Sequence, residues 1–405
     1  MQGIVVLSCW VMGALQGAIL ILVPEMMQQH QLSALQLALP ISIGTFVFML
    51  CSGYWGKLLD GQSVANKPLM PVIRWVLLGF AVSQLSFVML LQFSGLSGAL
   101  LIAALCLSRI IHGLFCSAVI PSTQLFLSKH DKNGEKLVWS SIATNIGRVS
   151  APLLAFIPVD IDYFSLWLLV IMTIITMVIA WSGKREKSVI ESEALASPII
   201  VKNDSVPLFN LVKNPLLLTV CVTAVLISLF SSQLQFSLGP LLLSSFSQAT
   251  LASEMTAKLL LAASASALIA LFVIYRPLSR FPTLFLIVTA VSFMIGGALF
   301  VLQQQLIISV ILMSAALSMA PAWYTALAMH ATQHHKARTS ATISQGHTLG
   351  NVFGGLLGGA FLVFGKASLL ASFTLLMAFI LLACLMIHRQ ASVINKAKNQ
   401  LVTES

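Results

Sequence analysis

Leu166-Trp-Leu-Leu-Val-Ile-Met-Thr-Ile-Ile-Thr-Met-Val-Ile-Ala180 carries no charged side chain and no regular alternation of apolar and polar residues. A membrane-crossing β-strand alternates with a period of two. An unbroken apolar run instead suits a helix, which satisfies its own backbone N–H and C=O groups inside hydrocarbon. With its flanks, Tyr163 to Ser182, the run reaches the about 20 residues that cross a hydrocarbon core of roughly 30 Å at about 1.5 Å per residue. The stretch is a transmembrane helix, and the chain is full of its kind. Of 405 residues, 58% are hydrophobic and 8% charged, and the mean hydropathy is +0.96, far outside the usage of water-soluble domains.

The same reading extends to twelve spans, at about 3–23, 37–56, 70–92, 98–126, 137–157, 163–182, 215–240, 254–275, 282–301, 305–330, 339–364 and 367–388. The first lacks a basic leader, is too long for a signal core and is followed by many more, so it is expected to stay in the mature chain. The fold class is therefore an all-α membrane protein. The longest polar stretch divides six spans from six, giving an N-terminal six-helix bundle (1–182), a cytoplasmic linker (183–214), a C-terminal six-helix bundle (215–388) and a cytoplasmic tail (389–405).

The net charge of +10 reflects topology. Of 22 basic residues, 18 fall in alternate loops and the C-terminal tail, Lys258 and Lys366 fall on the other side, and Arg109 and Arg148 lie within spans. The loaded side is expected to be cytoplasmic, with both termini inside and the protein in the inner (cytoplasmic) membrane. No nucleic-acid partner is expected. The six cysteines all lie in spans without a C-x-x-C pair and are expected to be packing residues.

Displacing the sequence by 203 residues places Gly147-Arg-Val-Ser-Ala-Pro-Leu-Leu154 on Gly350-Asn-Val-Phe-Gly-Gly-Leu-Leu357, matching Gly147, Val149, Leu153 and Leu154 with identical residues. The match falls on the fifth span of each half, as expected of a repeated six-span unit. Three further motifs accompany it: Gly56-Lys-Leu-Leu-Asp60 after span two, Arg109-Ile-Ile-His-Gly113 in span four, and Gly147-Arg-Val-Ser-Ala151-Pro152 in span five. By span count and these motifs the chain resembles the major facilitator superfamily, in particular its twelve-span drug:proton antiporter branch. The resemblance implies two six-helix bundles rocking about a central site, a conformational latch at Asp60 facing the start of span eleven near Ser340, and a role for Arg109 in proton transfer. The sequence departs from the family pattern at Gly61, Ser63 and Ala151, where the family has Arg, Gly and Gly.

The residues themselves narrow the chemistry. Ala143, Gly147 and Ala151 form a small-residue stripe expected to admit another helix, while Ser141, Asn145, Arg148 and Pro152 form a neighbouring stripe expected to face a cavity. Arg109 shares a face with His112 and Gly113. A charge at mid-depth costs at least about 2.5 kcal/mol unless it faces protein or water. None of the 12 acids lies deep within a span, so the two central arginines point to an electropositive site for an anion. Span one offers Gln16 centrally and Glu25 only at its outer end, which disfavours a cationic substrate. Arg109, Arg148, Asn145, Gln16, Trp323, Tyr324, Gln345 and Asn351 are expected to bind substrate, with Ser231, Ser232 and Gln233 as further polar candidates. His112, His347 and Glu25 are candidates for proton coupling. Gly56, Asp60, Gly113, Gly147, Ala151 and Pro152 are the candidate conformational motif.

The expectation is a proton-coupled exporter of a small organic anion, a carboxylate-type siderophore among the options, acting as a monomer without a cofactor. Broad drug efflux and import remain open alternatives. A membrane enzyme would call for paired acids or metal ligands. Asp160 and Asp162, an acid pair in an outer loop without a third ligand, read as a solvated turn; His330, His334 and His335 sit beside Lys336 and Arg338, which oppose a metal. No phosphate-binding P-loop appears, so pumping by ATP is not expected of this chain.

Overall fold

The computed structural model describes all residues except 1, 65–67, 129–137, 158, 160, 183–213, 247, 332–335 and 405, and describes no side chain at 60–64, 128, 138, 141, 330–331, 336–338, 341 or 394–404. The linker, Asp160, His334 and His335, and the side chains of Asp60, Ser141 and His330, thus lie outside the described residues.

Apolar runs become helices throughout. The first half holds α1 (Gln2–Ile21), α2 (Val23–His30), α3 (Ala34–Val64), α4 (Met70–Phe93), α5 (Gly98–Ser128), α6 (Val138–Ala155) and α7 (Phe164–Ser182). The second holds α8 (Pro215–Leu243), α9 (Ala249–Ile269), α10 (Pro282–Val301), α11 (Leu306–Ala331), α12 (Lys336–Val363) and α13 (Lys366–Glu404). Helix α2 is a short amphipathic addition to span one, begun beside Pro24 and ended by Gln31 in the left-handed region (φ 53°). Helix α9 runs on through a π-helical turn, Ala270–Tyr275, and a final turn, Arg276–Leu278. The widened turn stands just before Pro277, which has no N–H to continue the α ladder.

Among the described residues, ten of these helices are long and apolar enough to cross a membrane. Of the twelve spans, α6 and α12 are the two more polar ones, and they are the fifth helix of each half. Each packs on the first helix of its own half, α6 on α1 and α12 on α8. Glycine makes both contacts. A Cβ on Gly147 would lie 2.1 Å from the Trp10 carbonyl oxygen, one on Gly13 2.0 Å from that of Thr144, and one on Gly350 2.3 Å from that of Val225. Ala143 and Ala151 are buried in the first of these seams, as the small-residue stripe predicts. The structure therefore repeats the packing that the displaced sequence match suggests.

Elsewhere α3 packs on α5 and α4 on α5 and α7, while α10 packs on α11 and α13. The halves meet through α3 with α12, α6 with α9, and α2 with α8 and α9. Close contacts between halves cluster at one end. Cβ atoms on Gly239 and Gly359 would lie 2.9 Å from Pro24 Cδ and 2.8 Å from Leu35 Cα. The Ala249 N–H donates to Gln28 Oε1 at 2.9 Å. At the other end of α3, Phe46, Leu50 and Tyr54 are exposed. Among the described residues, close contacts between the halves gather at the end that bears α2, the sealed end.

Candidate functional site

Helix α6 presents two faces, set by its residue spacing. The Gly147 face is buried in the α1 seam, whereas Asn145 and Arg148 are exposed, as is Gln16 on α1. Arg148 Nε donates to Gln16 Oε1 at 3.1 Å. A charge at this depth is not left to hydrocarbon, so the exposed face of Gln16 and Arg148 is the candidate wall of a cleft between the bundles. Pro152 departs from the expected polar stripe: it is buried with Ala151.

Arg109 occupies a different setting. It is 7% exposed, its guanidinium lies 5.6 Å from the centre of the Phe87 ring, and its Nε has no hydrogen-bond partner. A Cβ on Gly44 would lie 3.3 Å from that Nε, and one on Gly113 2.4 Å from the Gly44 carbonyl oxygen, so the tight α3–α5 contact packs the arginine inside the first bundle. His112 is 6% exposed with an unpartnered Nδ1, its ring centre 5.5 Å from that of Phe80. Arg109 is thus enclosed in the first bundle, whereas Arg148 is exposed. No carboxylate among the described residues pairs with either arginine.

In the second bundle, Gln345 and Asn351 on α12 are exposed. Trp323 and Tyr324 are not: they are 6% and 0% exposed, so their expected place on the cleft wall is corrected to the bundle interior. Pairing their rings with neighbours removes more apolar area from water than lining a cleft would: Trp323 packs on Phe285 with ring centres 5.7 Å apart, and Tyr324 stacks on His347. His347 bonds through both nitrogens, Nδ1 to Ser228 Oγ at 2.5 Å and Nε2 to the Tyr324 hydroxyl at 2.9 Å. One helical turn along, the Ser232 hydroxyl donates to the Asn351 carbonyl at 3.0 Å. Gln233 is buried and donates to Ser372 Oγ at 2.6 Å, a helix-to-helix bond.

Glu25 lies at the sealed end on α2. Burial holds its carboxyl above the ordinary value, the Ser253 hydroxyl of α9 opposes this, and the charge of Asp162 adds to it. The same burial lowers His30, whose Nε2 is 3.2 Å from the Tyr163 hydroxyl. Of the motif residues, Gly113 and Gly147 are close-packing positions, whereas a Cβ on Gly56 would meet nothing within 4 Å. Sequence reasoning missed Ser228, Gln28 and Ser253. Ser228 has a sequence signal, because Ser228/Ser232 and His347/Asn351 are both pairs four residues apart, on helices that run parallel.

No protein-family model matches the sequence, and no curated protein does. Solved structures do resemble it. A bacterial homologue of the human lysosomal transporter Spinster, in an inward-facing and occupied conformation, superposes with a TM-score of 0.69 at 14% identity over 96% of each chain. The nucleoside transporter NupG gives 0.68 at 11% identity over 96% of this chain and 98% of its own. A D-xylose–proton symporter gives 0.68 at 13% identity over 95% and 96%. With twelve spans in two six-helix bundles that share one internal seam, the chain has the major facilitator fold.

Proposed function

We propose that this protein is a proton-coupled secondary transporter that exports a small organic anion by alternating access. The observation that carries the reading is Arg148, exposed at mid-depth, held by Gln16 and without a carboxylate partner among the described residues. An anionic substrate supplies the missing charge through charge-assisted hydrogen bonds. Asn145 lies beside it on the same helix, and Gln345 and Asn351 offer uncharged donors and acceptors on the second bundle. Arg109, buried in the first bundle, adds positive potential to that half and biases any nearby titrating group; it does not itself deprotonate. The likeness to transporters that carry sugars, nucleosides or the Spinster substrate supports transport in general.

Taking the basic loops as cytoplasmic places the protein in the inner membrane with both termini inside, as a monomer, and makes the end opposite α2 cytoplasmic. The bundles 1–182 and 215–388 then rock about the cleft, with 183–214 as their tether. In this reading Asp60, late in α3, and the start of α12 form the latch on closure. Accumulation of organic acids in cells lacking or overproducing the protein tests the reading, together with uptake of labelled citrate into proteoliposomes under an imposed pH gradient. Movement of a quaternary ammonium dye with no movement of citrate would replace the anion by a cationic drug.

A further inference from the structure

The coupling proton has three candidate carriers, and their surroundings differ. His112 is buried beside an unpaired guanidinium, and its Nδ1 has no acceptor. A second positive charge there would meet repulsion and no hydrogen-bond partner. Glu25 lies at the sealed end on α2, beyond the spans. His347 is half-buried on α12, and each ring nitrogen already faces a hydroxyl.

That pairing suits both charge states. In the neutral ring one nitrogen donates to one hydroxyl oxygen and the other accepts from the second hydroxyl. In the imidazolium both nitrogens donate, and both hydroxyl oxygens accept after the donating hydroxyl turns its proton away. No partner is lost in either state. The elements packed on α12 bring these ionisable groups: Cys221 on α8; Cys51, Tyr54, Lys57 and Asp60 on α3; Tyr324 and His330 on α11; Lys366, Cys384, His388, Arg389, Lys396, Lys398 and Glu404 on α13. Among the described side chains, Tyr324 alone of these bonds the ring. Among the described side chains no carboxylate bonds the ring, so a proton on His347 is held by the two hydroxyl oxygens and can leave again to the cleft.

We propose that His347 is the proton site of the transport cycle, and that Ser228 and Tyr324 are the positioning residues that hold its ring and accept from its charged form. The inference rests on the proton-coupled reading, and it moves Tyr324 from the substrate surface to the proton site. The helix contacts favour such a placement: α12 joins the second bundle through the α8 seam and meets the first bundle through α3, so a charge change on α12 acts where the halves touch.

The test is a titration that needs no substrate. Full-length protein with ¹⁵N-labelled histidine, in lipid nanodiscs, is followed by side-chain NMR, with His347→Gln assigning the resonance. His347 is expected to gain its second ring proton reversibly within about pH 5–8. Tyr324→Phe and Ser228→Ala, each removing one acceptor of the cation, are expected to lower the midpoint by about one pH unit, and Ser228→Thr to restore it. A His347 that stays neutral down to pH 5, or a midpoint indifferent to both variants, would overturn the proposal. In proteoliposomes, His347→Gln is expected to exchange labelled citrate at equal pH while losing accumulation driven by a pH gradient; equal loss of both would also count against the site. Failure of the wild-type protein to move citrate would sink the anion-transport reading and leave the titration result standing.

Discussion

Helices α6 and α12 occupy the same place in their bundles and are built on the same glycine seam, yet they carry different polar loads. Gly147 and Gly350 each abut the first helix of their half at a distance that admits no side chain. One residue further on, α6 has Arg148 and α12 has Asn351, both exposed. The packing is duplicated and the charge is not. Close approach between helices leaves little choice of residue, so the seam persists in both halves. Away from the seam the halves diverge: a fixed cation on one side, a ring tied to hydroxyls on the other.

The comparison breaks most readily at the seam. Gly147→Ala and Gly350→Ala are each expected to cost about 1–3 kcal/mol of stability through overpacking, and valine at either position to abolish folded protein. Gly53, in an exposed part of α3 with nothing within 4 Å of a Cβ, is expected to gain up to about 1 kcal/mol as alanine. Thermal unfolding in detergent measures all three, and equal melting of the Gly147 and Gly53 variants would refute a shared tight seam.

A smaller effect separates the cleft faces. Gln16→Ala removes the acceptor of Arg148 Nε and is expected to weaken citrate uptake about fivefold, equivalent to about 1 kcal/mol. Asn351→Ala is expected to change uptake less, because the bond to Ser232 uses the backbone carbonyl and survives. The reverse ranking in initial-rate assays would place the anion on the second bundle.

At the sealed end, Gln28 caps the first N–H of α9 from the opposite half. Its replacement by alanine removes a cap worth about 1 kcal/mol, shifting the closed-to-open balance about fivefold. Spin labels at Gln31→Cys and Thr250→Cys, read as a distance distribution, report the opening; an unchanged distribution would show that the cap does not hold the seal. The smallest effect is that of pH. Glu25 has a raised pKa in the sealed state because burial disfavours its charge. The seal is therefore favoured most when Glu25 is protonated, and it weakens as pH rises from the ordinary carboxyl value through the raised one. The same label pair should lengthen over that range, and Glu25→Gln should flatten the response.

Much of this architecture is legible in the sequence. Apolar length gives the spans, and the Gly147–Leu154 match to Gly350–Leu357 gives the repeated seam, because close packing needs small residues at helical spacing. Arg148 and Asn145 are legible as exposed for the same reason: they lie off the packed stripe. Arg109 and Tyr324 are not so placed by the sequence alone. Both are polar-ended side chains at cleft depth, and whether each faces the cleft or the bundle depends on rotations set by partners distant in the chain, Gly44 and Phe87 for one and His347 for the other. Gln28 could not be anticipated, since its acceptor role arises only when the two halves meet.

The central claim is that Arg148 binds the transported anion. Citrate accumulation in proteoliposomes under a pH gradient, compared between wild type, Arg148→Lys and Arg148→Ala at matched folded yield, tests it most directly. The account predicts loss of at least about a hundredfold for Arg148→Ala, as removal of a charge-assisted pair implies, and partial retention for Arg148→Lys. Wild-type accumulation by Arg148→Ala would contradict it.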